Sequence, residues 1–192
     1  LTRGDNRDDV LENYRKMARI LGTDVSKMVL SHQTHTTNIR LVTEADAGKG
    51  IWRERDYENI DGLITNEPGL TLVTFFADCV PLYFVDPVHH AIGLSHSGWR
   101  GTVGKNTVQL MQENFGSKPE DLLAAVGPSV CMDCYEVSED VADAFKEEFG
   151  AEISQDDSTS CYSWNGKSIL MNKGNGKYQL DLWGANRLVL LD

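Results

Sequence analysis

From Met28 onward the chain is cut into short apolar runs by turn-forming residues, and this texture constrains the fold more than any other feature. The runs are MVLSHQ at 28–33, NIRLVTE at 38–44, DGLIT at 61–65, TLVTFFA at 71–77, PLYFVD at 81–86 and HAIGLSH at 90–96, with Gly, Asn, Pro and Asp between them. Runs of this length, rich in β-branched and aromatic residues, read as strands. Asp86-Pro87-Val88-His89 joins two of them as a hairpin turn, because Pro87 cannot continue the first strand. Helical spacing surrounds this block. Val10, Leu11, Tyr14, Met17, Ala18 and Leu21 predict a helix from Asp8 to Leu21, capped by Asp8 or Asp9 and stopped by Gly22. A second helix is expected over Gly98 to Phe115, leading through Lys118 to Asp121 into a strand at 122–127. A third is expected from Ser138, its N-cap, to Phe149, with Gly150 as its stop. A polar loop at 153–160, a strand at 168–172, a Gly-Asn-Gly turn at 174–176 and a last helix from Asp181 complete the pattern. Strand runs flanked by separated helices imply one α+β domain with mixed sheets rather than a regular βαβ array.

Composition narrows the partners. The 192 residues are 41% hydrophobic, as in an ordinary globular domain, and carry a formal net charge of -11. That charge offers nothing to a nucleic-acid backbone or an anionic membrane, although a local cluster of cations and N–H groups can still hold a small anion. No apolar run nears the roughly 20 residues that span a bilayer, and the opening LTRGDNRDDV lacks the pattern of a signal peptide. Four irregularly spaced cysteines, Cys79, Cys131, Cys134 and Cys161, suit a reducing compartment, so the cytoplasm is expected. The chain opens without Met and ends inside a helical pattern, which suggests a piece of a longer protein.

Chemistry concentrates at run ends. Cys79 and His96 close two successive apolar runs, and His35 in SHQTHTTN follows an earlier one. One thiol and two imidazoles suit tetrahedral Zn²⁺ with the fourth position open to water or substrate. The separations of 44 and 17 residues match no compact finger pattern, and the same residue types also serve as a small buried hydrophobe and hydrogen-bonded histidines. His32 is an alternative ligand, but in an extended strand it faces away from His35; His89 and His90 are assigned to solvent. Ser97-Gly98-Trp99-Arg100-Gly101 stands at a helix start, where backbone N–H groups beside Arg100 could cradle an oxyanion or phosphate, or simply make a tight turn. Gln33, Arg40 and Asp61 are polar residues near the proposed site. Cys131-Met132-Asp133-Cys134 has neither the second pair of a zinc ribbon nor a thioredoxin context, which argues against a redox role.

The segments QTH at 33–35, DGLIT at 61–65, ADCVPL at 77–82, HSGWRG at 96–101, GPSV at 127–130 and CYEV at 134–137 resemble, in order, the signature blocks of the YfiH family, also called the laccase-domain or multicopper polyphenol oxidase family. The resemblance implies an α+β fold with mixed β-sheets packed between helix layers. It places the family's His, Cys, His metal ligands on His35, Cys79 and His96. It also implies phosphorolysis of adenosine, inosine, guanosine and methylthioadenosine, with deamination of adenosine, so that a purine nucleoside and phosphate are the expected partners. Position 97 is Ser where the family usually has Ala, and 129–133 departs from the commoner version. Family members normally extend further at both ends.

In that reading zinc activates water for attack at the purine C6, Arg100 contacts the anion, and Asp61 and Glu136 are the candidate general acids. Three other readings stand beside it. Cu²⁺ at the same residues could oxidise phenols as a laccase does, although five histidines are few for a multicopper set. Cys79 and His96 could act without metal as nucleophile and base, as in CheD-type deamidases. A binding module using the acidic face would need no metal.

Overall fold

The computed structural model describes residues 4–100, 103–149, 153–156, 161–164 and 167–191. The first helix, α1, runs Arg7–Leu21 and is capped by Asn6, ahead of the Asp8 or Asp9 that the sequence suggests. Asn6 accepts the Asp8 N–H, while Asp8 and Asp9 lie within the first turn, where carboxylates complement the free N–H groups. Gly22 closes the helix at φ 67°.

A small parallel pair, β1 (Met28–Leu30) and β4 (Thr71–Val73), seats α1 through Leu11, Ala18, Met28 and Leu30. The larger sheet contains β2 (Ile39–Leu41), β3 (Gly62–Thr65), β5 (Val80–Asp86), β6 (Ala91–Ser97) and β7 (Leu123–Val126) in the order β2-β3-β6-β5-β7. Only β2 and β3 pair in parallel there; the other neighbours are antiparallel. Leu82 and Phe84 of β5 point inward while Tyr83 and Val85 point out, the period of two that the run 81–86 announced.

The helix α2 (Val103–Phe115) packs Met111 against this sheet, and its start replaces the one expected at Gly98. Residues 98–100 form a turn instead. Beyond it, β8 (Glu136–Ser138), β9 (Ile153–Asp156), β10 (Cys161–Trp164), β11 (Lys167–Gly174) and β12 (Lys177–Leu180) make a second sheet ordered β8-β12-β11-β10-β9, fully antiparallel. The helix α3 (Glu139–Phe149) follows β8 directly, with the Ser138 hydroxyl donating to the Asp140 carboxylate; the expected stop at Gly150 falls outside the described residues. The helix α4 (Leu182–Leu191) contributes Leu182, Ala185 and Val189 to a core shared with Leu82, Phe84, Phe145, Ile169 and Leu180. Both sheets thus close on one core through the helices, the mixed-sheet α+β architecture expected.

Further expectations change. Residues 153–156 are a strand rather than part of a polar loop, and β10 was not foreseen; β9 is an edge strand, hydrogen-bonded on one side only, so apolar alternation is not required of it. Residues 157–160 of that loop lie outside the described residues. The run 71–77 keeps strand geometry only to Val73, because the Gln33 amide takes both backbone groups of Phe75, accepting its N–H at 2.8 Å and donating to its carbonyl. His89 is not free in solvent: its Nδ1 lies 2.8 Å from the buried Asp86 carboxylate, which also accepts the Val88 and His89 N–H groups and locks the hairpin turn. The Gly-Asn-Gly turn stands as expected, with φ of 81°, 53° and 70° at 174–176, conformations that favour glycine on both flanks.

Gly62 shows how tightly the sheet is closed behind the site. A Cβ there would lie 2.4 Å from Ile39 Cδ1 and 2.6 Å from the Ser95 hydroxyl, itself bonded to Thr107. Gly62→Ala is expected to destabilise the fold by about 1–3 kcal/mol through overpacking. A urea midpoint equal to that of the parent chain would show that β2 or β6 shifts freely.

Candidate metal centre at the strand ends

His96 is on β6 next to the sheet's exit, Cys79 immediately precedes β5, and His35 lies in the loop between β1 and β2. One ligand atom from each lies within 4.8 Å of the others, and this is the cluster of three or more His, Cys, Asp or Glu groups that the described residues bring together. The His35 and His96 rings meet edge to face at 5.0 Å between centroids. Burial is graded across the set: His96 is buried, Cys79 half-buried and His35 exposed, so the ligand atoms open toward solvent on the His35 side.

The loop carrying His35 is built around one carboxylate. Asp61, fully buried ahead of β3, accepts the N–H groups of Thr34 at 3.1 Å, His35 at 3.0 Å and Thr36 at 2.8 Å, together with the Thr36 hydroxyl at 2.8 Å. This holds His35 at φ 62°, a left-handed conformation uncommon for a residue with a side chain. The same carboxylate binds His96 Nδ1 at 2.9 Å. Nδ1 is then the protonated nitrogen, and Nε2 keeps its lone pair, the orientation that carboxylates impose on metal-binding histidines. Burial alone would raise the Asp61 carboxyl, but the donors from Thr36, Thr34 and His96 outweigh it and hold the group below its usual range. Burial also keeps the His96 imidazole below its ordinary value, with Asp61 opposing and His35 reinforcing the effect. A neutral imidazole with a free Nε2 is what a cation requires.

The turn after β6 presses on the same place. A Cβ on Gly98 would lie 3.5 Å from Cys79 Sγ and 3.6 Å from His35 Cδ2, so the backbone itself walls the cluster. Arg100, two residues on, is exposed and stacks its guanidinium over Trp99 at 5.0 Å. Phe76, tilted against His96 at 5.6 Å, forms an aromatic flank that the apolar run hid among its other residues.

The remaining sequence candidates have structural partners of their own. Gln33 bridges the His35 loop to Phe75 and thereby to the Cys79 loop. Arg40 is spent on Asp46 at 3.1 Å and lies over Tyr57. Glu136, on β8, faces Lys177 at 3.7 Å. Asp61, saturated with donors and held ionised, has no proton to give as a general acid. His32 does not lie on an extended strand opposite His35, because β1 ends at Leu30; its Nδ1 accepts the Asn59 N–H at 3.2 Å.

A mixed-sheet α+β chain that gathers two imidazoles and a thiol at its strand ends has a centre fit for a metal ion. The chain belongs to the family described as multi-copper polyphenol oxidoreductase laccase, which it matches over residues 1–192. It is 37% identical over 196 residues to the purine nucleoside phosphorylase YlmD of Bacillus subtilis, covering 98% of this chain and 64% of that protein's length. It is 34% identical to the adenosine deaminase RL5 of an unknown prokaryotic organism, over 98% of this chain and 68% of that one. Among solved structures, YfiH of Bacillus licheniformis superposes with a TM-score of 0.84 at 34% identity, covering all of this chain and 68% of the other. No helix among the described residues is long and apolar enough to cross a membrane.

Proposed function

We propose that this chain carries the zinc centre of a purine nucleoside phosphorylase that also deaminates adenosine. The observation that supports the reading is the convergence of His35, Cys79 and His96 within 4.8 Å on a loop organised by Asp61. The donor set fits the group: two nitrogens and one sulfur match zinc, and three protein ligands leave one position for substrate or water. Bound there, zinc would supply a Lewis acid beside the substrate. The names of the relatives favour nucleosides, with adenosine, inosine, guanosine and methylthioadenosine as candidate substrates.

In phosphorolysis the phosphate oxygen forms a bond to the ribose anomeric carbon as the bond to the base nitrogen breaks, leaving ribose 1-phosphate and free base. Arg100, exposed just past Gly98, is the candidate contact for the phosphate. Phe76 offers a planar face beside His96 for a base. Deamination adds water at the purine C6 and releases ammonia. Asp61 holds the ligand loop and the His96 tautomer throughout.

The reading with Cys79 as a free nucleophile fits less well. Burial raises the thiol, and the carboxylates of Asp78 and Asp61 raise it further, whereas reactive cysteines sit in electropositive surroundings. For a multicopper oxidase, the histidines outside the cluster are otherwise disposed: His32 holds Asn59, His89 holds Asp86, and His90 stands exposed in the hairpin turn.

The test combines metal analysis with product chromatography. Adenosine supplied with phosphate is expected to yield adenine and ribose 1-phosphate, and adenosine without phosphate to yield inosine. Both activities should disappear on chelation and return with one equivalent of zinc. Phenol oxidation dependent on copper, with neither nucleoside product formed, would replace this function with the oxidase.

A further inference from the structure

Away from the ligand set, Cys131 and Cys134 occupy one tight turn. Cys131 precedes the 3₁₀ turn Met132–Cys134, and the Cys134 N–H donates to the Cys131 carbonyl at 3.1 Å. A turn closed between residues three apart keeps their Cα atoms within about 7 Å. Disulfides span Cα separations of about 4.4–6.8 Å, so the two sulfurs can join without moving the backbone far. The neighbouring Cys131 side chain raises the Cys134 thiol above its ordinary value. Cys134 is exposed and Cys131 half-exposed, and neither is bonded to another sulfur.

The surrounding backbone holds the turn in place. Val130 N–H donates to the Asp78 carbonyl at 3.0 Å, the Gln179 amide donates to the Asp133 carbonyl at 3.0 Å, and Leu180 N–H donates to the Tyr135 carbonyl at 3.0 Å. Those bonds tie the turn to the Cys79 loop on one side and to β12 on the other. Once one of two neighbouring cysteines carries a mixed disulfide, the other attacks it far faster than a thiol of a second molecule would. The sequence offered no thioredoxin context for this pair; proximity supplies the chemistry instead.

We propose that Cys131 and Cys134 form a reversible oxidation site for low-molecular-weight disulfides such as oxidised glutathione. One thiolate attacks a sulfur of the incoming disulfide, breaking its S–S bond and releasing one glutathione thiolate. The second cysteine, as thiolate, attacks the protein sulfur of the mixed disulfide and releases the other. The protein loses two electrons and two protons, and the oxidant is reduced to two thiols.

The experiment incubates the metal-replete chain with oxidised glutathione, counts free thiols and maps peptides without reduction. Two thiols fewer than in the untreated chain are expected. The mass should fall by two hydrogens, the bond should map to 131–134, and dithiothreitol should restore both thiols. Cys131→Ser or Cys134→Ser should instead retain one glutathione on the remaining thiol, since neither variant can complete the second step. A persistent glutathione adduct on the parent chain would overturn the proposal. So would a bond mapping to any other pair, or a thiol count unchanged by the treatment in a folded protein.

Discussion

Cys79→Ala is expected to lose bound zinc and with it nucleoside turnover, while the chain still folds. Removing an outer partner of a metal ligand commonly costs about 10–100-fold in metal affinity, so removing the thiolate itself should cost at least about 100-fold. The fold should tolerate the change because Cys79 is only half-buried and precedes β5 rather than filling the core. Metal content after dialysis, urea midpoint and turnover, measured on one preparation, separate these effects. Cys79→Asp sharpens the experiment. A carboxylate is also a zinc ligand, so this variant should recover measurable metal and part of the turnover. A cysteine acting as nucleophile would not be rescued in that way, and its activity would survive chelation in the parent chain. Full activity in zinc-free Cys79→Ala would remove the metal from the mechanism.

How the ligands meet was legible in part. Cys79 and His96 stand at the ends of apolar runs that became the approach to β5 and the strand β6, so alternation placed them near a sheet end. His35 was harder. Its segment leaves strand geometry after Leu30 and wraps around Asp61, a contact across 26 residues that periodicity cannot express. The place of His35 after an apolar run made it a candidate and the QTH block of the family supported it, while the reason it turns inward is the buried carboxylate. Asp61 read as a polar residue near the site and a candidate general acid, and the sequence contained one usable signal of its structural place: an acid directly ahead of a fully buried strand, where an ionised group must find donors. Gln33 has a structural partner that its sequence position did not disclose. A polar side chain beside a candidate ligand, it is the backbone partner of Phe75, just past the end of β4. Arg40 and Glu136 carried charge that sequence could not assign to partners, since Asp46 and Lys177 are set by the chain's folding and not by spacing. Edge strand β9 escaped notice because its polar pattern is compatible with a sheet margin.

Asp61→Asn tests whether one carboxylate both holds the loop and sets the ligand's tautomer. The replacement keeps the shape but turns one acceptor oxygen into an NH₂ group facing N–H donors. At least one of the bonds from Thr34, His35, Thr36 and His96 must then be lost. Leaving such groups unsatisfied in a buried site should cost about 2–4 kcal/mol of stability at neutral pH. The pH dependence gives the sign. The Asp61 carboxyl is held below its usual range in the folded chain. Its contribution is therefore fully present above the unfolded carboxyl value, near pH ~4, and is lost as pH falls through the lower folded value. The amide that replaces it cannot titrate, so the stability gap between parent and variant should be widest near neutral pH and narrow as the solution is acidified below the unfolded carboxyl value. Destabilisation alone would suit a merely structural carboxylate. The distinguishing readout is His96. With Asp61 in place the proton sits on Nδ1; in the Asp61→Asn variant, with the amide NH₂ turned toward the ring, the imidazole should populate the other tautomer, visible in its nitrogen NMR shifts. Zinc affinity should fall by about 10–100-fold in step with that change. If the tautomer and the affinity both remain as in the parent chain while stability drops, Asp61 holds only the loop, and His96 is oriented by its burial against Phe76.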